Sequence, residues 1–161
     1  MDELKVKKIK EPVVKKLEEL KLTGFRVLCA GEEYAAEIPK ASKLLESRLS
    51  EIKNVKNRDI QFGAFIVDTN SEEEDGYWVA VEVEGFEDIP EGMVTLTVPA
   101  QRYVSVKYEV ANTGIFNAYD ELHSWAAEQG YKRLKDKWHV EIFEAWDDPN
   151  NLVVELFDTI E

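Results

Sequence analysis

The run Tyr103-Val104-Ser105-Val106-Lys107-Tyr108 is followed by Ile115, Ala118, Tyr119, Leu122, Trp125 and Ala126, and then by Trp138-His139-Val140-Glu141-Ile142-Phe143. The first and last runs are rich in β-branched and aromatic residues, which is strand chemistry. The apolar positions between them recur at intervals of three and four, the spacing of one helix face. Gly130 is placed to stop that helix. Beyond the turn Asp147-Asp148-Pro149-Asn150, Leu152-Val153-Val154-Glu155-Leu156-Phe157 predicts another strand.

The same order occurs about 78 residues earlier. Leu20, Leu22 and Phe25-Arg26-Val27-Leu28-Cys29 predict a strand, with Gly24 as a bulge. Ile38, Ala41, Leu44, Leu45, Leu49 and Ile52 predict a helix with Pro39 in its first turn. Ile60 to Val67 and Tyr77 to Val83 predict two strands joined by an acidic loop. Phe25 then falls against Tyr103, Ile38 against Ile115, Ala41 against Ala118, and Phe65 against Phe143. Met93 to Val98 adds a short strand before the second set. The expected fold is α+β: a duplicated strand-helix-strand-strand unit, about 20–84 and 93–160, joined into one antiparallel sheet with two helices and a central cleft. A single unit is too small to bury much core, and two sharing a sheet are not. Residues 1–19 form an N-terminal extension whose pattern is open. Val6, Ile9, Val13, Val14 and Leu17 suit a short strand or a frayed helix, and Pro12 interrupts either.

The composition narrows the function. The chain has 161 residues, 44% of them hydrophobic, enough for one domain with a real core. Its net charge is −13, and the balance is uneven, with 14 basic and 10 acidic residues in 1–58 against 6 basic and 23 acidic in 59–161. Such a surface repels a phosphate backbone, so no direct nucleic-acid binding is expected. No apolar stretch is long enough to span a bilayer, and Met1-Asp2-Glu3-Leu4-Lys5 leads into no signal-like segment. The single cysteine, Cys29, excludes an intrachain disulfide and sits in an apolar run. The expectation is a cytoplasmic protein, monomeric or weakly dimeric, without cofactor or metal. The acidic run Glu72-Glu73-Glu74-Asp75 lacks the alternating ligands and turning glycine of a calcium loop.

Familiar catalytic spacings are missing: there is no GxSxG, GxGxxG, P-loop, HExxH or CxxC. His123 reads as a surface residue of the second helix. His139 shares a strand face with Glu141 at period two, but no nucleophile is visibly beside them. Glu141 stands out because it interrupts a strand that otherwise looks central. Facing an apolar cleft, it would need a cation or a hydrogen-bond donor to offset desolvation. Its counterpart in the first unit is Gly63, so one repeat supplies a charge and the other leaves room. The chain carries four tryptophans, six tyrosines and seven phenylalanines. An aromatic wall beside one carboxylate suits flat or cationic organic molecules. Trp78 is the expected wall and Phe65 with Phe143 the floor, with Trp138 and Tyr108 nearby. Tyr77 alternates away from Trp78.

These features resemble the GyrI-like small-molecule-binding family, the effector-binding domain of AraC- and MerR-type multidrug regulators. The resemblance rests on the duplicated order, on Asp88-Ile89-Pro90-Glu91-Gly92-Met93 before Val98-Pro99-Ala100-Gln101-Arg102-Tyr103, on Tyr119-Asp120-Glu121-Leu122-His123-Ser124-Trp125, and on Glu141-Ile142-Phe143 followed by Asp148-Pro149. It covers roughly residues 20–160. It implies an aromatic-lined cleft in which Glu141 recognises cationic or polar ligands. Phe143 stands where the family usually has tyrosine, and Asn112-Thr113-Gly114-Ile115-Phe116 where it has a Gly-Pro-Tyr-like segment. The resulting expectation is a stand-alone binding protein for amphipathic, cationic small molecules, using Glu141, Trp78, Phe65, Phe143, Trp138 and Tyr108. The alternatives are a hydrolase of electrophilic small molecules in which Glu141 directs water with Tyr108 or His139 assisting, and a protein-interaction module acting on a gyrase-type target.

Overall fold

The computed structural model describes residues 6–161, so the charged N-terminal stretch Met1 to Lys5 lies outside the described residues. The elements are β1 (Val6–Leu17), β2 (Leu20–Val27), α1 (Tyr34–Ser47), β3 (Gln61–Ile66), β4 (Tyr77–Glu82), β5 (Val94–Val98), β6 (Gln101–Val110), α2 (Ile115–Glu128), β7 (Trp138–Ala145) and β8 (Leu152–Ile160). All eight strands join one antiparallel sheet in the order β1-β6-β8-β7-β3-β4-β2-β5.

That order is its own mirror image under duplication: β1 corresponds to β5, β2 to β6, β3 to β7 and β4 to β8. The centre lies between β3 and β7, where Gly63 pairs with Glu141 and Phe65 with His139. Each unit carries a leading strand in addition to its strand-helix-strand-strand set, and that strand is exchanged. β1 pairs with β6 of the second unit, and β5 with β2 of the first. Residues 6–17 are therefore an edge strand. Pro12 falls where the β1–β6 register shifts, and bulged edges are where a sheet tolerates a residue without an N–H. The outward lysines of β1 gave the segment its ambiguous pattern.

Both faces of the sheet bury apolar side chains. On one, α1 packs over β2 and β4, burying Leu45 against Val79 and Val81. On the same face α2 packs over β6, β1 and β8, with Ala118, Leu122 and Ala126 on Val104, Val106 and Tyr108. The other face curls into a cluster with no helix residue, built from Leu22, Phe62, Trp78, Tyr103, Trp138, Val140 and Phe157. Gly24 is not a bulge, since β2 keeps its register against both β4 and β5. Its role is close approach: a Cβ there would stand 2.1 Å from the Val79 carbonyl oxygen. Pro39 lies inside α1, not in its first turn. Having no N–H, it leaves the Ala35 carbonyl free of its helical donor. The Asn112 amide donates to that carbonyl at 3.3 Å, tying the first helix to the segment ahead of the second. Among the described residues, no helix is long and apolar enough to cross a membrane.

Candidate functional site

The two helices flank the centre of the sheet without covering it. Between them lies a cleft of about 680 Å³. Tyr34, Ile38 and Pro39 of α1 form one wall and Ile115, Phe116 and Tyr119 of α2 the other. The floor is Phe65, Tyr77, Val79, Glu141 and Phe143 from β3, β4 and β7. Phe116 is 82% exposed at the rim, an apolar ring left in water at the mouth.

Glu141 sits at the pseudo-twofold centre and is 5% exposed. Tyr77 donates its hydroxyl to Oε1, and Tyr119 donates to Oε2 at 2.6 Å. Burial pushes the Glu141 carboxyl above the ordinary glutamate range, and the two tyrosine bonds act against that shift without cancelling it. Both phenols are pushed well up by their own burial and by the neighbouring carboxylate, so they remain donors. Phe65 holds the group in place. It stacks on Tyr77 at 5.9 Å, meets Tyr119 edge-on at 6.3 Å, and stacks on His139 at 5.4 Å.

Gly63 makes this geometry fit. A Cβ there would lie 1.8 Å from the Tyr77 oxygen and 3.1 Å from Glu141 Oε1. The vacancy opposite the glutamate is thus filled by the tyrosine hydroxyl. Gly63→Ala should expel the Tyr77 ring, cost about 1–3 kcal/mol of stability as other overpacked sites do, and raise the Glu141 pKa further. Thermal unfolding and a carboxyl-detected NMR titration would measure both effects.

Behind the floor lies a second polar cluster. Asp158, 0% exposed, accepts from Arg133 Nε at 2.6 Å and lies 2.8 Å from His139 Nε2 and 3.6 Å from His123 Nε2. The His139 contact is short but off the hydrogen-bonding angle. His139 Nδ1 donates to the Lys137 carbonyl at 3.0 Å. Burial opposes ionisation of Asp158, and the His139 and Arg133 contacts outweigh it, holding the carboxyl below its usual range. His123 is only partly exposed, and its ring nitrogen turns inward to this cluster and not to solvent.

Of the residues singled out from the sequence, Glu141, Phe65 and Phe143 meet in the cleft. Trp78 and Trp138 do not line it. They pack edge to face at 5.2 Å within the opposite-face cluster, because strand alternation turns Tyr77 inward and Trp78 away. Tyr108 points to the helix side but lies beneath α2, donating to the Ala118 carbonyl at 3.3 Å, out of reach of the cleft. Tyr77 and Tyr119, the two residues that touch Glu141, were not among the expected site residues. The signal for them was chemical: a central carboxylate needs donors, and a buried tyrosine needs an acceptor.

An antiparallel sheet with two helices flanking a buried, tyrosine-held glutamate defines a domain built around a ligand-sized cleft. Residues 10–157 match the model of the GyrI-like small molecule binding domain, and the chain belongs to that family. Comparison with curated protein sequences gives no match. Among solved structures, SAV2435 bound to tetraphenylphosphonium superposes with a TM-score of 0.69 at 16% identity over 94% of each chain. EcmrR in its DNA complex gives 0.68 at 16% identity over 94% of this chain, which spans only 57% of that EcmrR chain. The EcmrR C-terminal domain gives 0.65 at 18% identity, over 95% of this chain and 98% of that domain. At these identities the likeness is one of fold.

Proposed function

We propose that the protein binds amphipathic organic cations in the cleft, with Glu141 as the counter-charge. The observation that carries this is the cleft's charge inventory. Its ionisable carboxyls are Glu32, Asp75 and Glu141, and among the described residues no lysine, arginine or histidine lines it. A buried carboxyl with raised pKa is a poor anion alone, and a delocalised cation beside it replaces the solvation that burial removed. The aromatic walls supply apolar area and cation–π attraction. The tetraphenylphosphonium complex of SAV2435 supports this ligand class. Net charge −13 supports a protein that makes no nucleic-acid contact of its own. We read it as a cytoplasmic binder, monomeric or weakly dimeric. A second reading rests on the Glu141–Tyr77–Tyr119 group, which is also an acid–base constellation: hydrolysis of an electrophilic ligand, distinguished by turnover on the same samples.

The test is calorimetric titration with tetraphenylphosphonium between pH 4 and 8, with triphenylphosphine oxide as the neutral match. A cation favours the ionised carboxyl. Its affinity should therefore rise with pH by about tenfold per unit up to the Glu141 pKa and then level. That midpoint should lie above the ordinary glutamate value of about 4.3. The neutral oxide should show no such rise. Absence of saturable cation binding would overturn the proposal.

A further inference from the structure

The two edges of the sheet, β1 and β5, are counterparts in the duplication, yet they are guarded differently. β1 carries Lys7, Lys8, Lys10, Lys15 and Lys16, together with Pro12 and a shifted register. Those are the devices that keep a sheet edge from pairing with another chain. β5 reads Val94-Thr95-Leu96-Thr97-Val98, with no charge, no proline and an unbroken register against β2. Leu96 and Val98 belong to the apolar cluster opposite the helices, and Val94 on the same strand face is left 38% exposed. Thr95 and Thr97 are exposed on the other face.

The backbone of β5 also has groups to offer. The Val83 N–H donates to the Lys21 carbonyl at 2.9 Å. Strand alternation then turns the odd-numbered residues of β2 toward β4, and Leu20, Leu22 and Gly24 toward β5. Their partners Val98, Leu96 and Val94 bond inward. Thr95 and Thr97 therefore aim their N–H and C=O groups out of the sheet, where no further strand lies among the described residues. This open ladder is bounded at both ends. The Met93 N–H already donates to the Pro90 carbonyl, and Pro99 has no N–H.

The order of residues in β5 is the same in both directions. Laid antiparallel on a second copy with a twofold axis at Leu96, Thr95 meets the partner's Thr97, and Thr97 meets the partner's Thr95. These are the positions at which facing residues exchange both N–H···O bonds. Leu96 meets the partner's Leu96 and Val94 the partner's Val98, in the pairs where side chains stand closer. Threonine pairs and aliphatic pairs both favour such a ladder. One register thus uses every outward group of the edge, and a twofold contact needs a surface complementary to itself. A charge-free strand also adds no local repulsion to that between two chains of net charge −13.

We propose that β5 is a self-docking edge: two copies pair β5 to β5 about Leu96, and the sheet continues from one chain into the next. The inference does not depend on the cation reading, since the cleft lies at the centre of the sheet. A five-residue strand pair is smaller than the roughly 1,200 Å² of a lasting interface, so the dimer is weak.

Sedimentation equilibrium should show reversible dimerisation with a dissociation constant between about 10 µM and 1 mM. The Thr95 and Thr97 amide cross-peaks should move as protein concentration rises. In the variant Thr95→Lys with Thr97→Lys, lysines face lysines across the axis, and the dissociation constant should rise by about tenfold or more. That change makes the chain less acidic, so loss of association cannot come from added net charge. In Thr95→Lys with Thr97→Glu each lysine faces a glutamate of the partner, and affinity should return to within about threefold of wild type. A chain that stays monomeric at about 1 mM would overturn the inference. So would association that survives the double lysine variant, or a lysine–glutamate variant as weak as that one.

Discussion

Glu141→Gln should lower affinity for tetraphenylphosphonium by about 30-fold to 1000-fold, the range of removing one partner of a buried charge pair, about 2–4 kcal/mol. Affinity for triphenylphosphine oxide should hold or rise, because the glutamine no longer penalises a neutral occupant. The same variant should be more stable than the wild type at neutral pH. The sign follows from the raised pKa: the native state favours the protonated carboxyl, so holding it ionised at pH 7 costs stability, and a neutral amide avoids that cost. Tyr77 and Tyr119 keep partners, since an amide oxygen accepts and its NH₂ donates to a phenol oxygen. Calorimetric binding with thermal unfolding of the same samples tests both halves. Loss of affinity together with loss of stability would indicate a damaged fold and not a missing charge.

Asp158→Asn should act in the opposite sense. Its carboxylate faces Arg133, His139 and His123 with no access to water. Removing the charge leaves the Arg133 guanidinium against a neutral amide in a low-dielectric site, which typically costs about 3–5 kcal/mol. For a domain of this size the melting temperature should fall by on the order of 10 °C. The folded-state pKa of Asp158 is depressed, so its contribution is complete above the unfolded carboxylate value and is lost as pH falls through the lower folded one. The gap between wild type and variant should therefore be wide at pH 7 and narrow toward pH 3. A gap independent of pH would mean that packing, not charge, carries the cost.

How far the sequence could be read follows from where each signal comes from. The duplication and the order of elements were legible because helix period, strand composition and turn residues are local. Glu141 was legible because a charge in an apolar strand is conspicuous wherever it occurs. The inward face of β4 was not. Alternation identifies a buried face only when the other face is wet, and here Tyr77, Trp78, Val79, Ala80 and Val81 are all buried. Tryptophan, the larger ring, looked like the wall, but it fills the opposite core. Tyr119 counted only as an apolar helix position, although its hydroxyl reaches Glu141. Asp158 gave no local cue, since Arg133, His123 and His139 come to it from other parts of the chain. Nor did the exchanged β1, because an edge strand shows lysines to solvent and hides few residues.

The pairing of Gly63 with Glu141 bears on how such a domain came to be one chain. Two identical copies of the unit, exchanging leading strands, would build the same sheet as a symmetric pair. The axis of that pair would run through one residue and its own copy. A glutamate there would face a glutamate, two like charges in a site with little water, one of which would have to stay protonated. A glycine there would face a glycine and leave no recognition group. Covalent fusion of the copies removes the constraint: one side of the axis carries the charge, and the other gives up its side chain so that a tyrosine can reach across.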